Sequence, residues 1–390
     1  MHGPVAGFAG PRLGYAAVVE ARGNPGAALG QWPALRALTD APGPVLSVLL
    51  TTEGDVENAA AVSQRRWSAL RDELDHGGAD PRALDLVEPF VASAHEHGAC
   101  LAVIATPGDV RHVEYGPTAP PADMGRWSEL PAVAQLLRWR QESPPYVLVL
   151  TDRRGADITA VARHGDAVER VVDGTDDPLR KVAPGGWSQR RYQQRAENTW
   201  EANARAVAHD VERASDAVGA EVIVVAGDVR AVELLEKHLP DRLLHRIEEV
   251  SGGRAADGSA AETEEAAHRW VATAAARTTV ALLEKFREER GQHDRAADAP
   301  AATIDALNRG RVGVLLVHDD AADGRRAWTG PDAVPVAADE QALRDLGVDA
   351  PRSAPLVDVL VRAALGTGAG VWLVPRAGGP ADGVGAILRW

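Results

Sequence analysis

Short apolar runs alternate with longer amphipathic stretches along most of the chain, and this alternation is the feature that most restricts its fold. The runs are bounded by Gly, Pro or acidic residues, which is typical of buried strands, and the stretches between them have helical periodicity. We predict strands at 44–52, 99–106, 144–150, 220–227, 311–320, 369–376 and 383–390. Strands alternating with helices predict an α/β (α+β) fold built in layers.

A chain of 390 residues exceeds what one ordinary core accommodates, so two to three domains are expected. We predict an N-terminal α/β domain at 1–142, a middle domain at 143–272 and a C-terminal α/β/α sandwich at 273–390. The middle domain opens with a hairpin around the polar "TDRRGAD" turn. The Gly- and Ala-rich acidic stretch 251–267 predicts a flexible connection that leads into a further helix.

The middle domain contains the most distinctive local motif. Residues 188–218 include neither Pro nor Gly and stop at Gly219, which predicts one long helix with a glycine C-terminal signal. Immediately before it stands "APGGW", in which Gly185 and Gly186 predict a surface turn and Trp187 is a large apolar residue to leave in water.

Charge is distributed unevenly along the chain. The net charge is −14, which argues against general nucleic-acid coating. The window 180–206 nevertheless holds six basic residues against two acidic ones, a local balance of +4. This asymmetry predicts one nucleic-acid-facing element on an otherwise acidic protein.

Conventional catalytic and metal motifs are absent from the sequence. There is no GxxxxGK[ST], HExxH or GxSxG, and the Gly-rich tracts lack dinucleotide-binding spacing. The pair His95 and His97 is spaced i, i+2, which does not put two ligands on one helix face. The "HDD" at 318–320 is expected to be an exposed loop, and Ser188 has no base nearby in the sequence. We therefore expect neither a metal nor an organic cofactor.

The cysteine content and the distribution of apolar residues indicate the cellular compartment of the protein. The single cysteine, Cys100, lies in an apolar run, so we expect a buried thiol and no intrachain disulfide. No run of 18 apolar residues occurs, and the first residues lack the pattern of a secretory signal. We expect a cytoplasmic protein without a membrane partner.

Several motifs in residues 145–390 resemble, in order, the archaeal and eukaryotic class I release factors and Pelota. "GGW" followed by Ser188 and a basic helix resembles their Gly-Gly-Gln loop, and "EVIVVAGDV" and "IEEVSGGRAADG" resemble the segments after that helix. "TIDALNRGRVGVLLVHDD" and the terminal "GVGAILRW" resemble parts of their third domain. The similarity is closest to the bacterial branch that includes Balon-like ribosome hibernation factors.

This resemblance implies a three-domain protein that enters the ribosomal A site. It implies an RNase H-like middle domain whose loop reaches 23S rRNA at the peptidyl transferase centre, and a ribosomal-protein-like C-terminal domain that contacts a translational GTPase, elongation factor Tu. P-site tRNA is a further implied partner. The implied rRNA-binding residues are Gly185, Gly186, Trp187, Ser188, Gln189, Arg190, Arg191 and Arg195.

Two departures from the family pattern change the expected function. Trp187 replaces the catalytic glutamine, and an indole donates one hydrogen bond but accepts none. The codon-reading Asn-Ile-Lys-Ser motif is also missing, since no lysine precedes Lys181. We expect a hibernation factor that binds without releasing peptide, with no catalytic residue.

Two alternatives stay open at this point. Gln189 could replace the missing glutamine in a peptidyl-tRNA hydrolase that rescues stalled ribosomes. In the other alternative the middle domain is only a scaffold, and Trp187 packs on its own domain.

Overall fold

The computed structural model describes residues 33–39, 43–52, 58–116, 119–142, 144–162, 168–173, 186–253, 259–292, 295–320 and 323–390. Side chains are described in these ranges except at 33, 34, 168–170, 173, 186–198, 259–265 and 292. The described residues form three main sheets, each with helices packed on it.

The N-terminal unit is an antiparallel sheet with helices on both faces. Its elements are α1 (Pro33–Thr39), β1 (Val45–Thr51), α2 (Ala59–His76), α3 (Pro81–Ser93), β2 (Cys100–Thr106), β3 (Asp109–Gly116), β4 (Met124–Ser128) and α4 (Val133–Glu142). The strand order is β3-β2-β1-β4. In β1, Leu46 and Leu50 pack with α2 and α3, while Val45 and Leu49 pack on the opposite face with α4. Burial on both faces explains why β1 is a continuous apolar run.

The middle unit is a five-stranded mixed sheet. Its elements are β5 (Tyr146–Thr151), β6 (Gly155–Val161), β7 (Val168–Asp173), α5 (Gly186–Val218), β8 (Val222–Gly227), α6 (Val229–His238), α7 (Asp241–Leu244) and β9 (Ile247–Val250). The order is β7-β6-β5-β8-β9, in which β5 to β7 form an antiparallel meander and β8 and β9 run parallel to β5. This order matches the RNase H-like arrangement that the resemblance implied.

The C-terminal unit is an α/β/α sandwich, as predicted. Its elements are α8 (Ser259–Gln292), β10 (Ala296–Asp298), α9 (Pro300–Asn308), β11 (Val312–Val317), β12 (Arg326–Thr329), β13 (Val336–Ala337), α10 (Glu340–Asp345), β14 (Arg352–Pro355), α11 (Leu356–Gly366), β15 (Gly370–Leu373) and β16 (Val384–Leu388). The main sheet has the order β10-β16-β11-β15, and β13-β12-β14 form a small second sheet. Helices α9 and α11 cover one face of the main sheet, and the second half of α8 covers the other.

The N-terminal and C-terminal units share one hydrophobic core. Leu35 of α1 and Trp139 of α4 belong to the same buried cluster as Leu307 of α9 and Leu360 of α11. Arg362 of α11, which is 1% exposed, donates from Nε to the carbonyl of Thr39 at 3.0 Å and so ties the two units together. The middle unit has its own clusters on the two faces of its sheet.

Helix α8 joins the middle and C-terminal units. Ala267 and Val271 in its first half pack on the middle sheet, and Leu283 and Phe286 in its second half pack on the C-terminal sheet. The predicted boundary between residues 272 and 273 therefore falls inside one continuous 34-residue helix.

Two local predictions are wrong. The stretch 251–267 was expected to be a flexible connection that leads into a further helix; that helix, α8, is present but begins inside the stretch at Ser259, because its Ala- and Glu-rich sequence favours helix. The "HDD" motif was expected to be an exposed loop, but His318 and Asp319 lie half-buried against α4 and β15. These contacts join residues at least 56 positions apart, so no local pattern reveals them.

Candidate nucleic-acid interface

The long helix α5 carries nearly all of the predicted site. It begins at Gly186, two residues before the predicted start, so its first three turns contain Gly186, Trp187, Ser188, Gln189, Arg190, Arg191 and Arg195. Gly185 lies outside the described residues, and so do the side chains of 186–198. The structure thus places these seven positions on one helical segment, with Trp187 in the first turn.

The C-terminal part of α5 is held against the sheet by apolar side chains. Val207, Ala208, Val211 and Ala214 are buried in the cluster that contains β5, β6 and β8. Their spacing puts them on one face of the helix, and small residues allow close approach to the sheet. From Asn203 to Val218, α5 extends about 22 Å, which slightly exceeds the roughly 20 Å spanned by β5.

The N-terminal part of α5 therefore continues beyond the end of the sheet. Asn203 donates from its side-chain amide to the carbonyl of Arg153, in the turn that follows the carboxyl end of β5, at 3.2 Å. The 13 residues before Thr199 extend the helix by about 20 Å from this level. We call residues 186–198 the arm.

Four described side chains meet at the base of the arm. The guanidinium of Arg153 lies 4.6 Å from the ring centroid of Trp200, and it donates from Nε and Nη2 to the two oxygens of Asp228 at 3.3 and 3.2 Å. Hydrogen bonding to Arg153 lowers the pKa of Asp228. We call Arg153, Trp200, Asn203 and Asp228 the clamp.

A second contact anchors α5 to α6. Lys237 donates to Glu201 at 2.7 Å, and this hydrogen bond lowers the pKa of the Glu201 carboxyl. On the next turns of α5, Glu212 and Asp216 both accept from Arg242. These acidic partners neutralise Lys237 of α6 and Arg242 of α7, whereas the arm has three arginines and one glutamate.

The other motifs give no catalytic or metal arrangement among the described residues. Cys100 is buried and its pKa is raised by burial, consistent with an inert structural thiol. The ring of His97 packs on Tyr115, with centroids 4.7 Å apart. No group of three or more His, Cys, Asp or Glu side chains in the described ranges is arranged to hold a metal ion.

A cleft of about 550 Å³ lies between α4, α8 and the carboxyl ends of β11 and β15. Asp319 lines it and accepts a hydrogen bond from Gln135 of α4. Burial raises the pKa of Asp319, and Arg126 and Arg138 oppose that shift. None of the predicted rRNA-binding residues is among the described residues that line this cleft.

Sequence analysis missed the clamp, and it named His318 and Asp319 of this cleft but expected them to lie in an exposed loop. Arg153 and Asp228 are 75 positions apart, and Gln135 and Asp319 are 184 apart. The one available signal was Arg153-Arg154 in the predicted hairpin turn, where a short polar tip places arginines at the end of the sheet.

None of the helices in the described ranges combines the length and the apolar character that a membrane-spanning helix needs.

Comparisons with known proteins give consistent matches. The bacterial archaeo-eukaryotic release factor family 2 matches residues 145–292. An uncharacterized protein of Mycobacterium tuberculosis strain H37Rv is 30% identical over 369 residues, covering 91% of this chain and 96% of that protein.

Two solved structures are similar at low sequence identity. An archaeal translation termination factor shares 16% identity, with a TM-score of 0.23, over 91% of this chain and 96% of its own. A ribosome-bound archaeal Pelota shares 12% identity, with a TM-score of 0.39, over 93% of this chain and 96% of its own.

Proposed function

Because this chain belongs to the bacterial archaeo-eukaryotic release factor family, we propose that it is a translation factor that binds the ribosome. The observation that carries the proposal is the arm, a basic helical segment that extends about 20 Å past its sheet on an acidic protein. A projecting element of this kind reaches into a cavity that the rest of the molecule cannot enter.

The polarity of the arm supports an RNA partner. The N-terminus of a long helix presents unpaired backbone N–H groups and a partial positive charge, which favour phosphate. Arg190, Arg191 and Arg195 add three positive charges within the first three turns. The remaining negative charge of the protein disfavours binding elsewhere on the ribosome.

The finer proposal is ribosome hibernation. The protein occupies the A site of idle ribosomes, with Gly185, Gly186 and Trp187 at the peptidyl transferase centre and the arm arginines on 23S rRNA. The indole of Trp187 stacks on a base, but it cannot accept a hydrogen bond from a water as a glutamine amide does. Delivery by elongation factor Tu through the C-terminal unit and contact with P-site tRNA complete this proposal.

A peptidyl-tRNA hydrolase is the alternative, and it depends on Gln189. Positions 187 and 189 both lie in α5, where two residues correspond to about 200° around the helix axis. The two positions are therefore on opposite sides of the helix. Occupying the catalytic position with Gln189 would require the first turn of α5 to unwind, which makes hibernation the better supported function.

Electron cryomicroscopy of purified bacterial ribosomes mixed with this protein tests the proposal. We expect density for the arm at the peptidyl transferase centre and for the other units in the A site. Density at another site, or no association at low salt, overturns it. If the protein releases labelled peptide from ribosome-bound peptidyl-tRNA, and the Gln189→Ala variant does not, the result supports the hydrolase instead.

Trp187→Ala measures the contribution of the proposed stacking. Loss of one stacked base is worth about 1–3 kcal/mol, so ribosome affinity should fall about 5- to 150-fold. Trp390→Ala is the matched control, because Trp390 is 63% exposed in the C-terminal unit and outside the arm. Equal affinities of Trp187→Ala and the unsubstituted protein contradict a stacking role and favour the scaffold alternative.

A further inference from the structure

The clamp lies where α5 passes the end of its sheet, and it joins three elements at that point. Trp200 and Asn203 come from α5, Arg153 comes from the β5–β6 turn, and Asp228 precedes α6. The arm ends immediately before this level, at Asn198. Any change in the clamp therefore acts at the base of the arm.

The contacts of the clamp fix the plane of one guanidinium group. Asp228 accepts from Arg153 through both carboxylate oxygens, which is the planar geometry that arginine provides and lysine does not. Asp228 is itself held, because its Oδ1 accepts from the backbone N–H of Arg230 at 3.1 Å and caps α6. The guanidinium held in this way covers the ring of Trp200.

These contacts are too exposed to contribute much to global stability. The side chains of Arg153 and Asp228 are 47% and 42% exposed, and ion pairs at such positions add little. Their effect is instead local and geometric. The Arg153 guanidinium, which Asp228 holds, covers Trp200, and the Arg153 carbonyl accepts from Asn203, so two contacts act on one turn of α5. The clamp restrains the direction in which the arm leaves the sheet.

The direction in which the arm leaves the sheet determines the position of its tip, because the arm is long. A tilt of 10° at the base moves the tip of a 20 Å helix by about 3.5 Å. Functional groups must be held within about 0.5 Å and 10–20° of the productive geometry. A basic helix that enters a narrow RNA cavity therefore needs a restraint at its base.

We propose that the clamp positions the arm for insertion into RNA, with Arg153 and Trp200 as positioning residues rather than RNA-contacting ones. This inference rests on the proposed ribosome-binding function, but the restraint itself is a property of the free protein.

Distance measurements between spin labels test the restraint without a ribosome. Labels at Gln193→Cys in the arm and Asp241→Cys in α7 are specific, because the single native cysteine, Cys100, is buried. Arg153→Lys and Trp200→Leu should each broaden the label distance distribution by about 1.5 Å, which is the displacement that a 10° tilt produces at position 193, about 9 Å from the base of the arm. Arg230→Lys, at an exposed arginine paired with Glu233, is the matched control and should leave it unchanged.

Ribosome binding of the same variants separates positioning from direct contact. Positioning predicts that Arg153→Lys lowers affinity about tenfold although its charge is kept, because lysine cannot form the planar fork. If Arg153 instead contacted an RNA phosphate directly, the Arg153→Lys variant would retain its affinity for the ribosome. An unchanged distance distribution in both Arg153→Lys and Trp200→Leu, or full affinity of Arg153→Lys, overturns the proposal. If the unsubstituted protein does not bind ribosomes, the proposed function is wrong. The label distances still show whether the clamp restrains the arm in the free protein.

Discussion

At the scale of single residues, the ring of Trp139 occupies the space that a side chain at position 116 would need. A Cβ built on Gly116 collides with Cζ2 and Cη2 of Trp139. Trp139 is 2% exposed and belongs to the core that the N-terminal and C-terminal units share. Glycine at 116 therefore lets α4 approach β3 closely.

Gly116→Ala should destabilise the protein by about 1–3 kcal/mol, because the indole must move within a packed core. Thermal unfolding measures the loss. Gly108→Ala is the control, since no atom lies within 4 Å of a Cβ at that position. A melting temperature of Gly116→Ala equal to that of Gly108→Ala would show that the core adapts without cost.

Asp358 is a carboxyl group buried between the N-terminal and C-terminal units. Its Oδ2 accepts from Nη1 of Arg126 at 3.1 Å, and its Oδ1 has no hydrogen-bond partner among the described residues. Burial raises the pKa of Asp358 to about 7; Arg126 lowers it and nearby Asp319 raises it further. An ordinary aspartate ionises near pH 3.9.

The raised pKa predicts how stability changes with pH. Between about pH 4 and pH 7 the unfolded chain releases the Asp358 proton while the folded protein retains it, so the contribution of this group to stability falls as pH rises. Above about pH 7 the contribution is constant.

Asp358→Asn removes this dependence. The free energy of unfolding of the variant minus that of the unsubstituted protein should therefore increase by up to about 4 kcal/mol from pH 4 to pH 7. Urea unfolding across that range measures it. Asp305→Asn, at an exposed aspartate paired with Arg309, is the control. Parallel pH profiles for Asp358→Asn and the unsubstituted protein would contradict the assignment.

At the scale of elements, α5 combines two functions in one helix. Its second half is an ordinary amphipathic helix on a sheet, and its first half is the basic arm. The absence of Pro and of internal Gly from 188 to 218 keeps the two halves continuous.

Arg190→Gln/Arg191→Gln should reduce the salt dependence of ribosome binding. Each lost phosphate contact lowers the slope of log K against log salt by about 0.7–0.9, so the double variant should lose about 1.5. Titrations at several salt concentrations measure the slope. Arg230→Gln in α6 keeps the arm intact and should retain the full slope, and a full slope in the double variant would exclude the phosphate role.

At the scale of the whole molecule, the first and last units behave as one body. Their shared core includes β1 and β11. Arg362 of α11 donates to the carbonyl of Thr39 at the end of α1 and, at 2.8 Å, to the hydroxyl of Thr329 at the end of β12. The middle unit joins this body through the α4–β5 connection and through α8.

Native-state hydrogen exchange should therefore show equal opening free energies, within about 1 kcal/mol, for the slowest amides of β1 and β11. Arg362→Met should lower the opening free energies of both strands by about 1–3 kcal/mol, since it leaves buried carbonyls unpaired. It should leave the opening free energies of β5 and β8 unchanged. Arg344→Met, at an exposed arginine paired with Glu340, is the control. Loss of protection in β11 alone would indicate two independent units.

Prediction from sequence succeeded where the signal is local. The structure confirmed the predicted strands near 44–52 and 220–227 and the predicted end of α5 at Gly219. These elements could be predicted because the spacing of apolar residues and the position of helix-breaking residues depend only on a short segment of the chain. Edge strands such as β3 and β9 were not predicted, because their partly exposed residues carry little apolar signal. The residues of the proposed RNA site came from the motif, and their roles stay predictions.

The sequence by itself determined the α/β class, the long helix, the basic window and the replacement of glutamine by Trp187, because each depends on residues close together in the chain. Only the tertiary structure decided that α8 is shared by two units, that the first and last units have a common core, and that Arg153, Trp200 and Asp228 meet at the base of the arm. Such contacts join residues tens to hundreds of positions apart, and they form only when packed layers bring their elements together.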